Sequence, residues 1–465
     1  MLMKKISTTI IFVFFLSFWG FAQSWNELGT GADALLGNYS IQSIVNDGKG
    51  NIYASVGNVA SGGNSYYVVK WNGTSWSEVA TGSNALKATN SISTLALDGA
   101  GNLYAAGAFL DQNNYPYVAK WNGTSWTELG TGTNALNPNG NINYITTDKS
   151  GNVYAGGQFT DAGGKYYVAK WDGTSWTELG TAANALNANS VIVRIVTDAS
   201  GNVYAGGDFT NVSNYNYVAK WNGTSWTELG SGSNALNANG IILSMLIDSK
   251  NNIYAGGYFS DANNAQYVAK WNGSSWAELG TGANALNANG GINALALDSL
   301  GNIYAAGAFY QNGNQNIYYV SQWNGTIWSE LGGSGKNALN ANNEIFTLAT
   351  DKSGNIYAGG LFTNTDQLNY VAEWGTGTAA TSTKQPINET LVSIYPNPGP
   401  GLVNLTNITE DVQLTVFNIL GETVSNQQIS YGNTLIDLSQ LHSGVYTLTF
   451  NGRQYLYSSV KWVKE

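Results

Sequence analysis

The chain has 465 residues, with 16 Trp, 28 Tyr, 57 Gly and only 10% charged side chains. Few charges and many aromatics exclude a disordered chain, and a formal charge of −10 argues against a nucleic-acid partner. No cysteine is present, so disulfides and thiolate metal sites are excluded and stability must come from burial and sheet pairing.

The first element is a processing segment. Lys4 and Lys5 precede an apolar stretch, Ile10–Trp19, that is short for a membrane span. Gly20-Phe21-Ala22 then puts small residues where a signal peptidase reads, so residues 1–22 are expected to be a signal peptide cut before Gln23. The alternative is an uncleaved anchor. No later run is apolar and long enough to cross a membrane, so the mature chain is expected to have no transmembrane helix.

From Ser24 to Trp374 one unit recurs every fifty residues or so, a period that points to solenoids or propellers. In one copy the expected strands are Ile142–Thr147, Val153–Gly157, Tyr166–Trp171 and Ser175–Leu179. Asp148–Asn152 is a turn between the first two, Asp172-Gly173 a turn between the last two, and Gly180–Asn189 the linker to the next copy. Asn122-Gly123 in the stretch Tyr117–Gly130 is a strong hairpin signal, since a type I′ turn wants positive φ at both central residues. With a loop of two or four residues, Trp121 and Trp126 share a sheet face. The tryptophans of both strands and the tyrosine of the second strand each recur seven times, which gives seven four-stranded units.

The phase of the repeat predicts closure. The array begins with an isolated fourth strand, Ser24–Gly29, and ends on a third strand at Trp374. The first can complete the last unit. The expected fold is therefore all-β: a seven-bladed β-propeller over residues 23–374, closed by its N-terminal strand.

Other repeated residues invite structural roles. Gly156-Gly157 and its copies fit a close approach of backbones. Ile142 and its equivalents read as contacts between blades. Asp148 and its equivalents precede a turn and are expected to accept backbone N–H bonds. Calcium is the alternative, but one carboxylate per turn is thin for a cation wanting six to eight oxygens, so no cofactor is expected. Glu128 and its equivalents are expected to meet indole or backbone N–H donors. The Gly-Gly, Tyr, Trp and hairpin pattern, with segments such as Asp148–Gly157, resembles kelch-type and related bacterial propeller repeats. That resemblance speaks to fold and little to function.

After Trp374 the composition shifts. Residues 375–390, rich in Gly, Thr, Ala and Ser, read as a linker. Residues 391–465 form a small β-sandwich, with strands expected at Leu414–Asn418, Thr434–Leu438 and Val445–Phe450. This segment resembles the type A C-terminal sorting domain of the Bacteroidetes type IX secretion system. The resemblance rests on Tyr395-Pro396-Asn397-Pro398, Val416-Phe417-Asn418 with Gly421, Ile436–Ser439, Leu441 with Gly444-Val445-Tyr446, and the closing Lys461 and Lys464. It implies export across the outer membrane by the type IX machinery, with the tail removed and the chain anchored at the surface as a further possibility. The alternative is a plain accessory sandwich.

Catalytic signals are scarce. His442, the only histidine, lies in the tail, which excludes a His-based triad or metal site in the array. The recurring Glu residues are copies of one position, whereas acid–base work needs two carboxylates in different settings. No enzyme activity is expected. Function is sought where the copies differ, in the loops between second and third strands, such as Gln158–Lys165 and Asp208–Tyr215. Tyr115, Tyr166, Tyr215, Tyr258 and Tyr310 give stacking surfaces there, or else pack strand ends. Arg194, the only arginine before the tail, replaces residues such as Ser43 and Tyr144 on a first strand. Its charge must reach water in the central channel or pair with an acid such as Asp208, and it could anchor an anion. The candidate ligand-binding residues are Arg194, Asp208, Tyr258, Gln158 and Tyr144. The expected function is a secreted or cell-surface binding protein for a glycan or other surface polymer. The alternatives are a polysaccharide lyase or hydrolase, and a structural or adhesive protein with no discrete ligand.

Overall fold

A computed structural model describes residues 23–30, 33–35, 40–60, 63–311, 313–314, 316–333, 337–375, 392–408, 412–418, 423–431, 435–451 and 460–465. The expected signal peptide, nearly all of the expected linker and Gly421 lie outside them. The chain divides into two compact units, Met1–Ala379 and Ala380–Glu465.

In the first unit the described strands form seven four-stranded antiparallel sheets. The third sheet is representative: Ile142–Thr147, Val153–Gly157, Ala169–Trp171 and Trp176–Glu178, adjacent in that order. Its first two strands match the expected spans. The third starts later than its apolar run, because Tyr166 leaves the ladder to pair with the following linker. Tyr166 N–H donates to the Ala188 carbonyl at 3.0 Å, and Ala188 N–H donates back at 3.2 Å. The first sheet departs from the rest. Its middle strands, Ile52–Ala60 and Gly63–Trp71, run on as one long hairpin.

The Asn-Gly hairpin is not a type I′ turn. Trp121 and Trp126 are cross-strand partners, so the loop is the four residues 122–125. Only Gly123 has positive φ. Asn122 Oδ1 instead accepts from Thr124 and Ser125 N–H at 2.9 and 2.8 Å. The parity survives, and the two indoles lie side by side, tilted by 47°, at 5.8 Å between centroids. Ser24–Glu27 pairs with Ala372–Gly375, with Trp25 opposite Trp374. That indole pair stands at 5.9 Å and 51°, as Trp171 and Trp176 do within one continuous hairpin.

Contacts between sheets explain the repeated apolar and glycine positions. Ile142, Ile192, Ile242, Ile292 and Ile345 are fully buried, each such side chain adding about 1.5–3 kcal/mol of burial. A Cβ on Gly156 would meet the Ile192 and Ile195 methyls at 2.7 and 2.8 Å, and one on Gly157 would strike the backbone of Asn141 and Ile142. The indole N–H groups join neighbouring sheets through backbone carbonyls. Trp176 donates to Leu129 at 2.7 Å, Trp226 to Leu179 at 2.6 Å and Trp276 to Leu229 at 2.9 Å. The repeated Glu residues are therefore not the indole partners; a main-chain carbonyl lies nearer the ring nitrogen.

In the second unit, Ser393–Tyr395, Leu402–Thr406 and Leu435–Asp437 form a three-stranded sheet. Thr423–Ile429, Val412–Phe417, Gly444–Asn451 and Val460–Lys464 form a four-stranded one. Both contribute to one core, with Val403, Leu405 and Ile436 from the first and Leu414, Leu448 and Trp462 from the second.

Candidate functional site

Antiparallel order gives each sheet of the first unit two unlike edges. The two tight turns share one edge; the loop between second and third strands and the linker share the other. At the turn edge, Asp148 Oδ1 accepts from Ser150 and Asn152 N–H at 2.9 and 3.0 Å. Its Oδ2 accepts from the Asn152 amide at 2.6 Å and the Tyr154 hydroxyl at 3.0 Å. Burial pushes this carboxyl up, but the donors from Asn152, Tyr154 and Ser150 outweigh it and hold it below its usual range. The turn Asp thus has the structural role expected of it.

The loop edge is less variable in path than in side chains. Asp161 frames its loop by accepting from Gly163 and Lys165 N–H, both at 2.8 Å. Asn211 and Asp261 do the same in the next two sheets. Asn139 pins the loop to the linker through Thr160, and Asn189 repeats this through Thr210. The recurring Glu of the fourth strand faces the framing residue. In three sheets an amide meets it: Asn211 with Glu228 at 3.1 Å, Gln311 with Glu330 at 2.8 Å, and Asn364 with Glu27 at 3.0 Å. In three others an acid sits opposite, and burial followed by the charges of Asp111, Asp161 and Asp261 raises Glu128, Glu178 and Glu278.

The five candidate ligand residues separate into two groups. Gln158, Asp208 and Tyr258 hold one repeated position, directly after the second glycine of each pair, in consecutive sheets. Gln158 is exposed. Tyr258 is 48% exposed and lies over Gly291, where any side chain would collide with its ring. Asp208 accepts from the Ser190 hydroxyl at 2.9 Å, not from Arg194. Arg194 and Tyr144 instead border a cavity of about 260 Å³ lined by first-strand residues. The guanidinium lies over the Tyr144 ring at 4.4 Å. It donates to the carbonyls of Leu243 at 3.1 Å and Asn293 at 3.2 Å. Of the two expected outcomes, the pairing with Asp208 is not formed; the side chain runs instead among the first strands of neighbouring sheets, where Tyr144, Leu243 and Asn293 meet it. Carbonyls and a ring face, both electron-rich, replace the carboxylate.

Sequence reasoning missed a larger feature. A cleft of about 600 Å³ opens on the second sheet, between Leu86 and Lys87 of one linker, the loop Leu110–Tyr115, and Thr131–Asn137 of the next linker. Lys87, where later linkers carry Asn, was the available signal.

In the tail the motif residues hold the last strand. The Trp462 indole donates to the Pro396 carbonyl at 3.0 Å. The Asn397 amide donates to the Lys461 carbonyl at 2.7 Å and accepts from Val463 N–H at 3.0 Å. Tyr446, two residues into the strand opened by Gly444, donates to the His442 carbonyl at 2.8 Å. Lys464 is buried and donates to the Leu438 and Ser439 carbonyls. Pro398 precedes Gly399, whose N–H bonds the Val463 carbonyl at 2.9 Å. Tyr395 is 54% exposed.

Residues 393–465 match the family of secretion system C-terminal sorting domains. The chain is accordingly a secreted or cell-surface protein handled by the type IX machinery, and no helix among the described residues is long and apolar enough to cross a membrane. A comparison with curated proteins returns no match. Among solved structures, the chain is similar to PorZ, a surface component of the type IX secretion system of Porphyromonas gingivalis, at 14% identity and a TM-score of 0.46. That similarity covers 94% of this chain and 60% of PorZ. It is also similar to the extracellular domain of a hybrid two-component system from B. thetaiotaomicron, at 15% identity and 0.48, over 88% of this chain and 47% of that one. A third similarity is to the β-propeller domain of the Trilobed protease from Pyrococcus furiosus, at 9% identity and 0.47, over 73% and 94%. The chain thus spans less than two thirds of the first two.

Proposed function

We propose that the first unit is a closed seven-bladed propeller of kelch-like type that serves as a non-catalytic binding protein at the cell surface, its ligand a glycan or other surface polymer. Closure is supported by the Trp25–Trp374 pair and by contacts that join the seventh sheet to the first. Trp76 donates to the Leu28 carbonyl at 2.6 Å, and Ile44 N–H donates to the Thr347 hydroxyl at 3.2 Å.

The observation that carries the binding role is the row Gln158, Asp208 and Tyr258. One repeated backbone position carries an amide, an acid and an aromatic ring, while the turn edge of the same sheets keeps one anchor, Asp148, Asp198 and Asp248, with the same backbone bonds. A rigid frame with unlike side chains along one edge is a surface for recognition. Pulldown and glycan-array binding by the mature chain should weaken when Gln158, Asp208 and Tyr258 are replaced together by Ala. Unchanged binding would remove that row from the proposal. Replacing Arg194 should instead lower stability with little effect on binding, since its donors are engaged within the array.

A further inference from the structure

We infer that the second sheet carries a site for an uncharged oligosaccharide, in the cleft beside Pro116 and Pro138. The inference rests on the binding role proposed above for the loop edge and adds to that edge a second place, apart from the row Gln158, Asp208 and Tyr258, with a ligand class of its own. In five sheets the start of the third strand is tied to the following linker by a two-residue bridge: Tyr66 with Ala88, Tyr166 with Ala188, Asn216 with Ala238, Gln266 with Ala288 and Tyr318 with Ala341. At the equivalent positions the second sheet has Pro116 and Pro138, and neither has an N–H to give. Both halves of the clamp are lost together. Beside them lies the cleft of about 600 Å³, whose walls include the flanking Tyr115, Tyr117 and Asn137. The equivalent place on the third sheet, around Leu136, Asp161 and Tyr167, holds about 150 Å³.

The side chains at the cleft also depart from the repeat. Lys87 has φ of 51°, at a position where Asn137, Asn187, Asn237, Asn287 and Asn340 take the same left-handed backbone. Asn tolerates that conformation far better than Lys does, so the ammonium is placed there at a conformational cost. Leu110 and Tyr115 are 39% and 41% exposed, an apolar surface open to solvent. Gln112 and Asn113 are exposed amides on the same loop.

The charges at the cleft select against an ionic ligand. Lys87 is one cation; Asp111 and Glu128 are two acids on the same walls. An anion meets the acids, and a cation meets Lys87. Asp111 is also occupied in framing the loop through Asn113 and Tyr115 N–H. A ligand with an apolar ring face and many hydroxyls suits what remains. The face lies on Tyr115 and Leu110; the hydroxyls meet the amides, the ammonium and the carboxylates. The volume falls within the ~300–1,000 Å³ of ordinary small-molecule sites.

The test is calorimetric titration of the full mature chain with uncharged gluco-, manno-, galacto- and xylo-oligosaccharides, with oligogalacturonate as the charged counter-probe. At least one uncharged series should bind. Tyr115→Ala, and the pair Pro116→Tyr with Pro138→Ala that restores the clamp, should each weaken it by about tenfold, or 1.4 kcal/mol. Lys87→Asn, which restores the repeat's own residue and leaves the fold intact by thermal melting, should weaken it severalfold. Binding lost in the Gln158, Asp208 and Tyr258 triple variant but kept in all cleft variants would overturn this site and leave the proposed function standing. Binding of oligogalacturonate alone, or of no uncharged oligosaccharide at millimolar concentration, would overturn the ligand class.

Discussion

The turn edge and the loop edge of the first unit use the same device with opposite outcomes. At both, an Asp or Asn side chain accepts two backbone N–H bonds and fixes a short connection. At the turn edge the second carboxylate oxygen also meets an amide and a phenol, and Asp148 and Asp198 are buried with Tyr154 and Tyr204 behind them. At the loop edge the framing residue is Asp161 in one sheet and Asn211 in the next, and its other partners change from copy to copy. A buried acceptor with every donor in place tolerates no exchange. An exposed frame fixes the path and leaves the side chains free to diverge. Divergence therefore accumulates at one edge, the edge where a ligand would be read.

The frame that both edges share gives the largest expected effect. Trp25→Ala should cost about 3–5 kcal/mol in urea unfolding, the usual range for a buried Trp, and should match Trp176→Ala. A loss under about 1 kcal/mol for Trp25 alone would show that the sheet completed by Ser24–Glu27 differs from the others. Next, Asp198→Ala should cost about 2 kcal/mol, since it strands Ser200 and Asn202 N–H and the Tyr204 hydroxyl. Asp261→Ala, whose frame faces water, should cost much less. Equal losses would dissolve the contrast between the edges.

The smallest effect separates the edges by pH. Burial raises Glu178, and Asp161 raises it further. The folded state therefore holds this proton at pH values where the unfolded chain has released it. That contribution is complete below the unfolded value near 4.5 and is lost as pH rises through the folded pKa. Asp198 is lowered on balance, its burial outweighed by the bonds from Asn202, Tyr204 and Ser200. Its contribution is present above the unfolded value near 3.8 and is lost as pH falls through the folded one. Asp161→Asn, which copies the Asn211–Glu228 arrangement, should raise stability at pH 7 by about 0.5 kcal/mol and flatten the loss above pH 4.5. Melting curves from pH 3 to 8 would read both, and a destabilised Asp161→Asn would refute the account.

Much of the fold is written in local pattern. Trp121 and Trp126 declare a shared face through parity, and parity held although the turn between them is of another type. The Gly-Gly pairs declared close approach, and at Gly156 and Gly157 a side chain would meet Ile192, Ile195 and the backbone of Asn141. Less was legible wherever a side chain chooses between partners of similar chemistry. The Glu residues and the indole N–H groups looked complementary, yet the indoles of Trp25, Trp76, Trp176, Trp226, Trp276 and Trp328 donate to backbone carbonyls. Arg194 is conspicuous in the sequence, but its targets lie 49 and 99 residues away, beyond any pattern of spacing. In the tail, Val412–Phe417, Leu435–Asp437 and Gly444–Asn451 were foreseen near their true spans. Ser393–Tyr395, Leu402–Thr406, Thr423–Ile429 and Val460–Lys464 were not, because short or polar-rich strands carry little apolar alternation of their own.

What the amino-acid sequence decided by itself is periodic: which residues turn, which alternate, and which sheet faces carry indoles. Those properties depend on neighbours a few positions apart, so every copy states them again. What only the tertiary structure decided is singular: the course of the Arg194 guanidinium, the common path of the loops, and the cleft beside Pro116 and Pro138. Each depends on side chains from separate copies meeting in space, where small departures from the repeat act together.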